Sequence, residues 1–355
     1  RGEGMAQAPI FVVGPSRSGT GLMRTVLNQH PSVHLAPETH YFDDLRPRVG
    51  GGQDAVLDQS AARRCEDYFL ALMHRPYNRG GRPEDSPVSR SELSSAAKAA
   101  GGGPDGYFEA FCRMQAASRG KRRWGEKTPR HVFRVADILR VHPEAKFVCM
   151  VRDPRAVVSS YRRFGDRKDP ARGRDVAHRA ALERARDRVS RSNDIVVTSL
   201  LWKASVQAAL HARRRFGAER VRLQPFEQLV TEPGHAVRAL ADWLGLEFHP
   251  SMLDVPLRNS SFSPKDQRAG FSKEALARWR TELTDGEIAL VQSVCGGLMQ
   301  RHGYHREAVA VPRAWLLLQW LRLPFAVWRS TSANRFRAGR LAPYIWRRLR
   351  LAVSG

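Results

Sequence analysis

An eight-residue turn, Gly14-Pro-Ser-Arg-Ser-Gly-Thr-Gly21, separates a short apolar run, Ile10 to Val13, from an apolar-periodic run between Leu22 and Leu27. Strand, glycine-rich turn and helix, in that order, aim several backbone N–H groups at one point, and that point favours an anion. The Gly14-x4-Gly19 spacing equals that of a nucleotide-binding P-loop, but Thr20 stands where an ATP-binding loop has its lysine. A basic side chain, Arg17, sits inside the turn instead. The turn can therefore hold a phosphate while lacking the group that reaches the β/γ-phosphates of ATP; a plain strand-to-helix connector is the competing reading. A second apolar run, Ala145 to Val151, delivers Arg152 at its end, and Ser160 follows two helical turns later. Ligands of parallel sheets sit beyond the C-terminal edge of the strands, so Arg152 and the turn can meet one ligand. A structural ion pair is the other ordinary use of such an arginine. No acidic residue ends the apolar run itself, which speaks against magnesium-dependent ATP hydrolysis.

These groups need a scaffold, and the chain is long enough to supply one. It has 355 residues with 42% hydrophobic and 26% charged, which excludes an acidic disordered tail, a collagen and a polytopic membrane protein. Strands are expected at Ile10–Val13, around Trp124, at Ala145–Val151 and at 220–224. Helices are expected near 61–74, 105–118, 130–141, from Pro154, along 165–192, and at 200–216, 236–244, 273–280 and 285–301. Alternating strands and helices predict an α/β fold with a P-loop-like parallel sheet flanked by helices. Residues 43–120 read as a mostly helical insert. The core domain is expected over 5–310, with 311–355 as a C-terminal extension.

The net charge is +24, carried by 51 arginines and 8 lysines against 35 acidic residues. Arginine holds phosphate and carboxylate in a fixed fork, so an anionic ligand is indicated. The extension contains nine arginines, no acidic residue and four of the eight tryptophans. Its longest apolar part is too short and too polar to span a bilayer. Two readings stay open for it: a helical hairpin packed on the domain, or peripheral contact with a membrane surface. Four scattered cysteines without C-x-x-C spacing predict reduced, buried thiols and a cytoplasmic setting, peripheral to the inner membrane face if the extension binds there.

The Gly14–Arg24 segment, followed by His30-Pro31 and Pro37-Glu38-Thr39, resembles the opening of sulfotransferases that use 3′-phosphoadenosine-5′-phosphosulfate (PAPS). Val151-Arg-Asp-Pro-Arg-Ala-Val-Val-Ser-Ser160 is similar to their 3′-phosphate element, and Gly125-Glu-Lys-Thr-Pro129, Phe226-Glu-Gln-Leu-Val, Trp243-Leu-Gly-Leu and Asn259-Ser-Ser-Phe-Ser also fit. The spacing from Arg17 to Glu38 is most like that of tyrosylprotein sulfotransferases and their bacterial relatives. The resemblance implies that Ser16, Arg17, Ser18, Gly19, Thr20 and Gly21 cradle the 5′-phosphosulfate. It implies that Arg152 and Ser160 hold the 3′-phosphate, that Glu38 is the base and that Lys127 stabilises the sulfuryl group. Ser260 and Ser261 fall near a loop that closes over the cofactor. No metal is implied.

Sulfuryl transfer is an in-line displacement on an anionic group, so positioning and charge stabilisation dominate, as in phosphoryl transfer, and Arg17 and Lys127 would supply the catalytic positive charge that meets the transferring oxygens and the bridging leaving oxygen. The acceptor hydroxyl must lose a proton, and His40 and Asp43 rival Glu38 for that role. The chain departs from the family pattern at Gly21, where many relatives have threonine, at His40 in place of a basic Arg, and at Phe226 in place of Tyr. A glycan, lipid-linked, small-molecule or peptide-tyrosine hydroxyl is each compatible as acceptor, with residues 43–120 and 165–195 shaping its site. A P-loop kinase and a non-enzymatic anion- or membrane-binding protein are the alternatives; the charge gives no reason to propose nucleic acid.

Overall fold

Ile10–Val13 (β1) has no polar side chain and is buried along its whole length, which requires neighbours on both edges and both faces. In the computed structural model, which describes residues 8–50, 55–76, 80–166, 176–192, 194–256 and 270–333, it has them. The other strands are Val33–Ala36 (β2), Arg123–Lys127 (β3), Lys146–Val151 (β4) and Val221–Pro225 (β5). All pairings are parallel, in the order β2-β3-β1-β4-β5. Val12 faces Lys127 across one edge of β1 and Val148 across the other. Both directions of winding thus start from β1, and the crevice at its C-terminal end is where such sheets bind ligands.

The longer helices are Thr20–Asn28 (α1), Gln59–His74 (α2), Arg90–Ala99 (α3), Pro104–Ala117 (α4), Pro154–Asp166 (α5), Val176–Ser192 (α6), Ile195–Phe216 (α7), Pro233–Leu244 (α8), Asp285–Arg301 (α9), Arg313–Leu321 (α10) and Leu323–Ala333 (α11). Side-chain alternation along the strands divides the core between two faces. Phe11, Trp124 and Phe147 point to one face and pack with Phe108, Phe111 and Phe69 from the 43–120 insert. Ile10, Val12, Val148 and Met150 point to the other and pack with Met23, Val26 and Leu27 of α1 and with Val237 and Leu240 of α8. A third cluster, beyond the end of β4, joins Val151 and Val157 to Trp202, Trp279, Val291 and Leu298.

Most expected elements recur, and the following differ. Of the expected 165–192 stretch, 167–175 lie outside the described residues and the rest falls on the end of α5 and on α6. A helix at Phe226–Thr231 is not among the expectations. β2 is absent from the sequence expectations because His34 interrupts its apolar run, whereas β1, of the same length, is apolar throughout. The span 130–141 is a 3-10 turn, Pro129–Arg134, followed by a short helix, Val135–Val141, since Pro129 removes one donor and starts a tight turn. The span 273–280 is two single-turn helices, Glu274–Ala277 and Trp279–Glu282. α8 ends at Gly245 in the left-handed conformation, as its position predicts. The four cysteines are buried and unpaired, and burial pushes the Cys65 and Cys149 thiols up to about 12. Of the extension, α10 and α11 are described; Trp315, Leu316 and Leu323 pack against the third cluster.

Candidate active site

The turn after β1 owes its path to two glycines. Gly14 has φ +126°, and a Cβ there would lie 2.4 Å from the Met150 carbonyl oxygen, so only glycine lets the chain leave β1 this close to β4. Its N–H donates to the Pro129 carbonyl at 3.0 Å, which ties the turn to the segment after β3. Gly19 has φ +88° and precedes α1 with no side-chain cap. A Cβ on Gly19 would fall 2.3 Å from Cδ2 of Phe226. Between them Arg17 sits at φ +70°, a conformation disfavoured for a side chain of this size. Ser18 is fully buried and its hydroxyl has no hydrogen-bond partner. An uncapped helix start beside an unmatched buried hydroxyl is the donor set that an anionic oxygen completes.

Arg152 leaves the end of β4 next to this turn. Because Val151 pairs with Pro225, Arg152 stands beside Phe226, and its guanidinium lies 4.3 Å from the Phe226 ring centre. Two of its nitrogens donate to the carbonyls of Arg17 (3.2 Å) and Ala275 (2.6 Å), while Nε is buried without a partner. Burial lowers its pKa to about 10, so it stays charged at neutral pH. Ser160 is buried on α5 and accepts from Arg17 Nε at 3.0 Å. Arg17, Ser160, Arg152 and Phe226 therefore meet around one side of the turn.

On the other side, Lys127 ends β3 and Glu38 follows β2. Lys127 Nζ donates to Glu38 Oε1 at 2.5 Å, and His40 Nε2 lies 3.2 Å from Glu38 Oε2. Burial would push the Glu38 carboxyl up, but the Lys127 charge and the His40 contact outweigh it and hold the group far below the usual carboxylate range. Asp43 is turned elsewhere, toward Arg134 at 3.0 Å and Arg130 at 3.7 Å.

The Glu38 loop is held from beneath. Glu126 precedes Lys127 on β3 and so points to the opposite face of the sheet. It is fully buried and accepts from the Thr39 N–H (2.9 Å), the Thr39 hydroxyl (3.0 Å) and the Thr128 hydroxyl, with His131 Nδ1 at 3.1 Å. Tyr68 donates to the Thr39 carbonyl at 2.5 Å. Burial would raise the Glu126 carboxyl, yet His131 and the donors around it keep it below its ordinary value. The clamp fixes Thr39 and His40, the latter at φ +55°, and with them the aim of Glu38.

The predicted residues thus form two groups at adjacent strand ends, the turn with Arg152 and Ser160, and Glu38 with Lys127 and His40. Ser16 is half-buried on the turn and Thr20 is buried at the first position of α1. Gly21 is exposed, and a Cβ there would meet nothing within 4 Å, so its missing hydroxyl is not a steric demand. Ser260 and Ser261 lie outside the described residues. Residue-by-residue reading missed the clamp formed by Glu126, Thr39, Thr128 and His131, and the ring of Phe226 as a wall shared by Gly19 and Arg152. A carboxylate inside an otherwise buried strand was the available signal for Glu126, since such a group needs donors on every side.

Residues 9–250 match the family described as "Sulfotransferase family". Over 309 residues the chain is 23% identical to protein-tyrosine sulfotransferase A of Caenorhabditis elegans, covering 84% of this chain and 68% of that one. It is 25% identical over 324 residues to carbohydrate sulfotransferase 5 of Mus musculus, covering 83% and 80%. Among solved structures it is similar to a sulfotransferase domain from the curacin biosynthetic pathway, with TM-score 0.49, 17% identity and coverage of 86% of this chain and all of that one.

Proposed function

The chain belongs to the sulfotransferase family and transfers a sulfuryl group to a hydroxyl acceptor, and from that premise we propose that its donor is PAPS and that Glu38 is the base. When bound, the donor supplies a sulfuryl group carried on an adenosine 5′-phosphate that also bears a 3′-phosphate. The observation that carries the reading is two buried polar atoms without partners, the Ser18 hydroxyl in the turn and Nε of Arg152, which donates through another nitrogen to the turn's Arg17 carbonyl. A site built for two separate anionic groups leaves donors of this kind unmatched in the protein alone. In this reading the backbone of Ser16–Gly21 and the Ser18 and Thr20 hydroxyls hold the 5′ end, and Arg152 with Ser160 holds the 3′-phosphate.

Glu38 carries its negative charge at neutral pH, so it can accept the acceptor's proton. Its resting partner makes it a weak base, because Lys127 stabilises the charged form. Lys127 also stands beside the end of β1, since it faces Val12 in register. We therefore assign it two duties. It holds Glu38 in place when the site is idle and turns to the anionic oxygens of the transferring group when the site is filled, which returns basicity to Glu38. His40 keeps the carboxylate oriented through Oε2. Asp43, held by Arg134 and Arg130, is supported less well as a base.

A thermal-shift titration with 3′,5′-adenosine bisphosphate against ATP–magnesium tests the donor class. Preferential stabilisation by the bisphosphate supports PAPS; equal or greater stabilisation by ATP–magnesium overturns it. The relatives named above are, by name, tyrosine and carbohydrate enzymes. A panel containing both acceptor classes, together with lipid-linked and small-molecule hydroxyls, identifies the acceptor here.

A further inference from the structure

Exposed large hydrophobic residues are concentrated in one place. Leu317, Leu318, Trp320, Leu321, Phe325 and Trp328 lie within twelve consecutive residues of α10 and α11, and four of them are more than 60% exposed. Elsewhere among the described residues, Val56 and Val176 are the exposed large hydrophobics. The two helices are apolar on both sides. Trp315 and Leu316 face the third core cluster, Ala326 is buried, and Leu317, Leu321, Phe325 and Trp328 face out. The Phe325 and Trp328 rings stack at 5.8 Å on the outer side. A face of this size and composition on a soluble chain signals a contact.

The charge around it selects the occupant. Arg313, Arg322 and Arg329 are exposed at the start, middle and end of the patch. From Val311 onward there is no acidic residue, and six further arginines follow Ala333 in the sequence. A second copy of this chain would bring like charges together. An anionic surface with an apolar interior matches both features at once. Among the described residues α10 and α11 have nine and eleven residues, roughly 14 and 16 Å, against a hydrocarbon core of about 30 Å, a length that suits lying in an interface.

We propose that the outer face of α10 and α11 docks on anionic phospholipid bilayers, with Leu317, Leu321, Phe325 and Trp328 inserted among the acyl chains and the flanking arginines on the headgroups. The enzyme would then meet acceptors carried on, or next to, a membrane surface. The inference does not depend on the identity of the sulfuryl donor or the base, and its test reads binding rather than turnover.

The test is co-sedimentation of the full chain with vesicles of phosphatidylcholine alone and of phosphatidylcholine with phosphatidylglycerol. A combined variant, Leu317→Ser, Leu321→Ser, Phe325→Ser and Trp328→Ser, is compared with the wild type. These side chains are exposed, so the variant should keep its melting temperature and its response to 3′,5′-adenosine bisphosphate. Binding to the anionic vesicles, reduced about tenfold or more in the variant, with quenching of wild-type tryptophan fluorescence by brominated acyl chains, is the expected result. Binding equal in the variant, or abolished by salt with no quenching, reduces the contact to arginine adsorption and overturns insertion. Self-association of the wild type that the variant loses, without vesicle binding, assigns the face to a second copy and overturns the proposal as well.

Discussion

Arg152→Gln separates recognition of a 3′-phosphate from general support of the fold. In the structure the guanidinium has three kinds of contact: donation to the Arg17 carbonyl at 3.2 Å, donation to the Ala275 carbonyl at 2.6 Å, and the face of Phe226 at 4.3 Å. Glutamine offers one neutral amide in their place, so the variant loses stability irrespective of ligand. Hydrogen bonds from charged donors are worth about 1.5–3 kcal/mol each. At roughly 2–4 °C per kcal/mol, the melting temperature should fall by several degrees. The proposed contact through Nε and the positive charge adds a loss seen only by ligands bearing a 3′-phosphate. A single charge-assisted contact of about 1.5–3 kcal/mol corresponds to a rise of about 10- to 150-fold in Kd. Isothermal titration calorimetry with 3′,5′-adenosine bisphosphate and with adenosine 5′-monophosphate reads the difference. The bisphosphate should weaken by that factor and the monophosphate by less than about threefold. A ratio between the two ligands within about twofold of the wild-type ratio would refute the assignment, because global destabilisation weakens both alike.

Glu38→Gln should lower kcat by about 10²–10⁴ while leaving the Kd for the bisphosphate unchanged; full turnover in this variant would move the base role to His40 or Asp43. Lys127→Met should lower kcat and also shift the acid limb of the kcat/KM profile. The folded Glu38 carboxyl is depressed, so the stability it contributes is present above its ordinary value of 4.5 and is lost as pH falls below it. Removing Lys127 raises that carboxyl, so the acid limb should move to higher pH; a limb that stays put would show that Lys127 does not set the basicity of Glu38. Gly19→Ala and Gly21→Ala form a contrasting pair, with φ +88° and a 2.3 Å approach to Phe226 at the first and open space at the second. The first should weaken bisphosphate binding and lower the melting temperature, at a backbone cost of about 1–2 kcal/mol before any steric term, and the second should leave both nearly unchanged.

The parts of the site legible in the sequence are those whose chemistry is local. Gly14 and Gly19 advertise a turn, an apolar run ending in Arg152 advertises a strand edge, and Pro154 fixes the start of α5. These signals sit within ten residues of the groups they position, and the structure returns them nearly residue for residue. The clamp is different in kind. Glu126 meets Thr39 from 87 positions away, and Arg152 donates to Ala275 from 123 positions away, so neither contact has a local trace. β2 was obscured for a related reason. Val33–Ala36 is no shorter than β1, but His34, buried at 3% exposure, reads as polar and breaks its apolar run, although burial and neighbouring cations keep the ring neutral, with a pKa of about 3. Single-turn segments such as Glu274–Ala277 fail in the opposite direction, because helical composition persists where packing beneath α5 allows only a turn at a time.

Charge shows the same division between what composition announces and what contacts decide. With 51 arginines in the chain, positive charge alone singles out none of them. Burial narrows the choice to Arg123, Arg152 and Arg155 among the described residues. Arg155 places its fork on Asp153, donates to Gln292 at 3.2 Å and lies 3.9 Å over the Trp279 ring, so it is matched by a carboxylate and by packing. Arg123 donates to the carbonyls of Ala8 and Leu244 and so ties the start of β3 to the residues before β1 and to the end of α8. Arg152 faces neutral carbonyls and an aromatic ring, keeps one nitrogen unmatched, and stands at the C-terminal edge beside the Gly14–Gly21 turn. Arg123 is likewise held only by neutral carbonyls, but it stands at the start of β3, away from the Gly14–Gly21 turn, whereas Arg152, with Glu227 as its main acidic neighbour, has a free Nε at the ligand-binding edge. That unmatched donor at the strand edge, rather than the +24 total, is what argues for a second phosphate on the donor, and it ties the 3′-phosphate reading to a single side chain that can be replaced and measured.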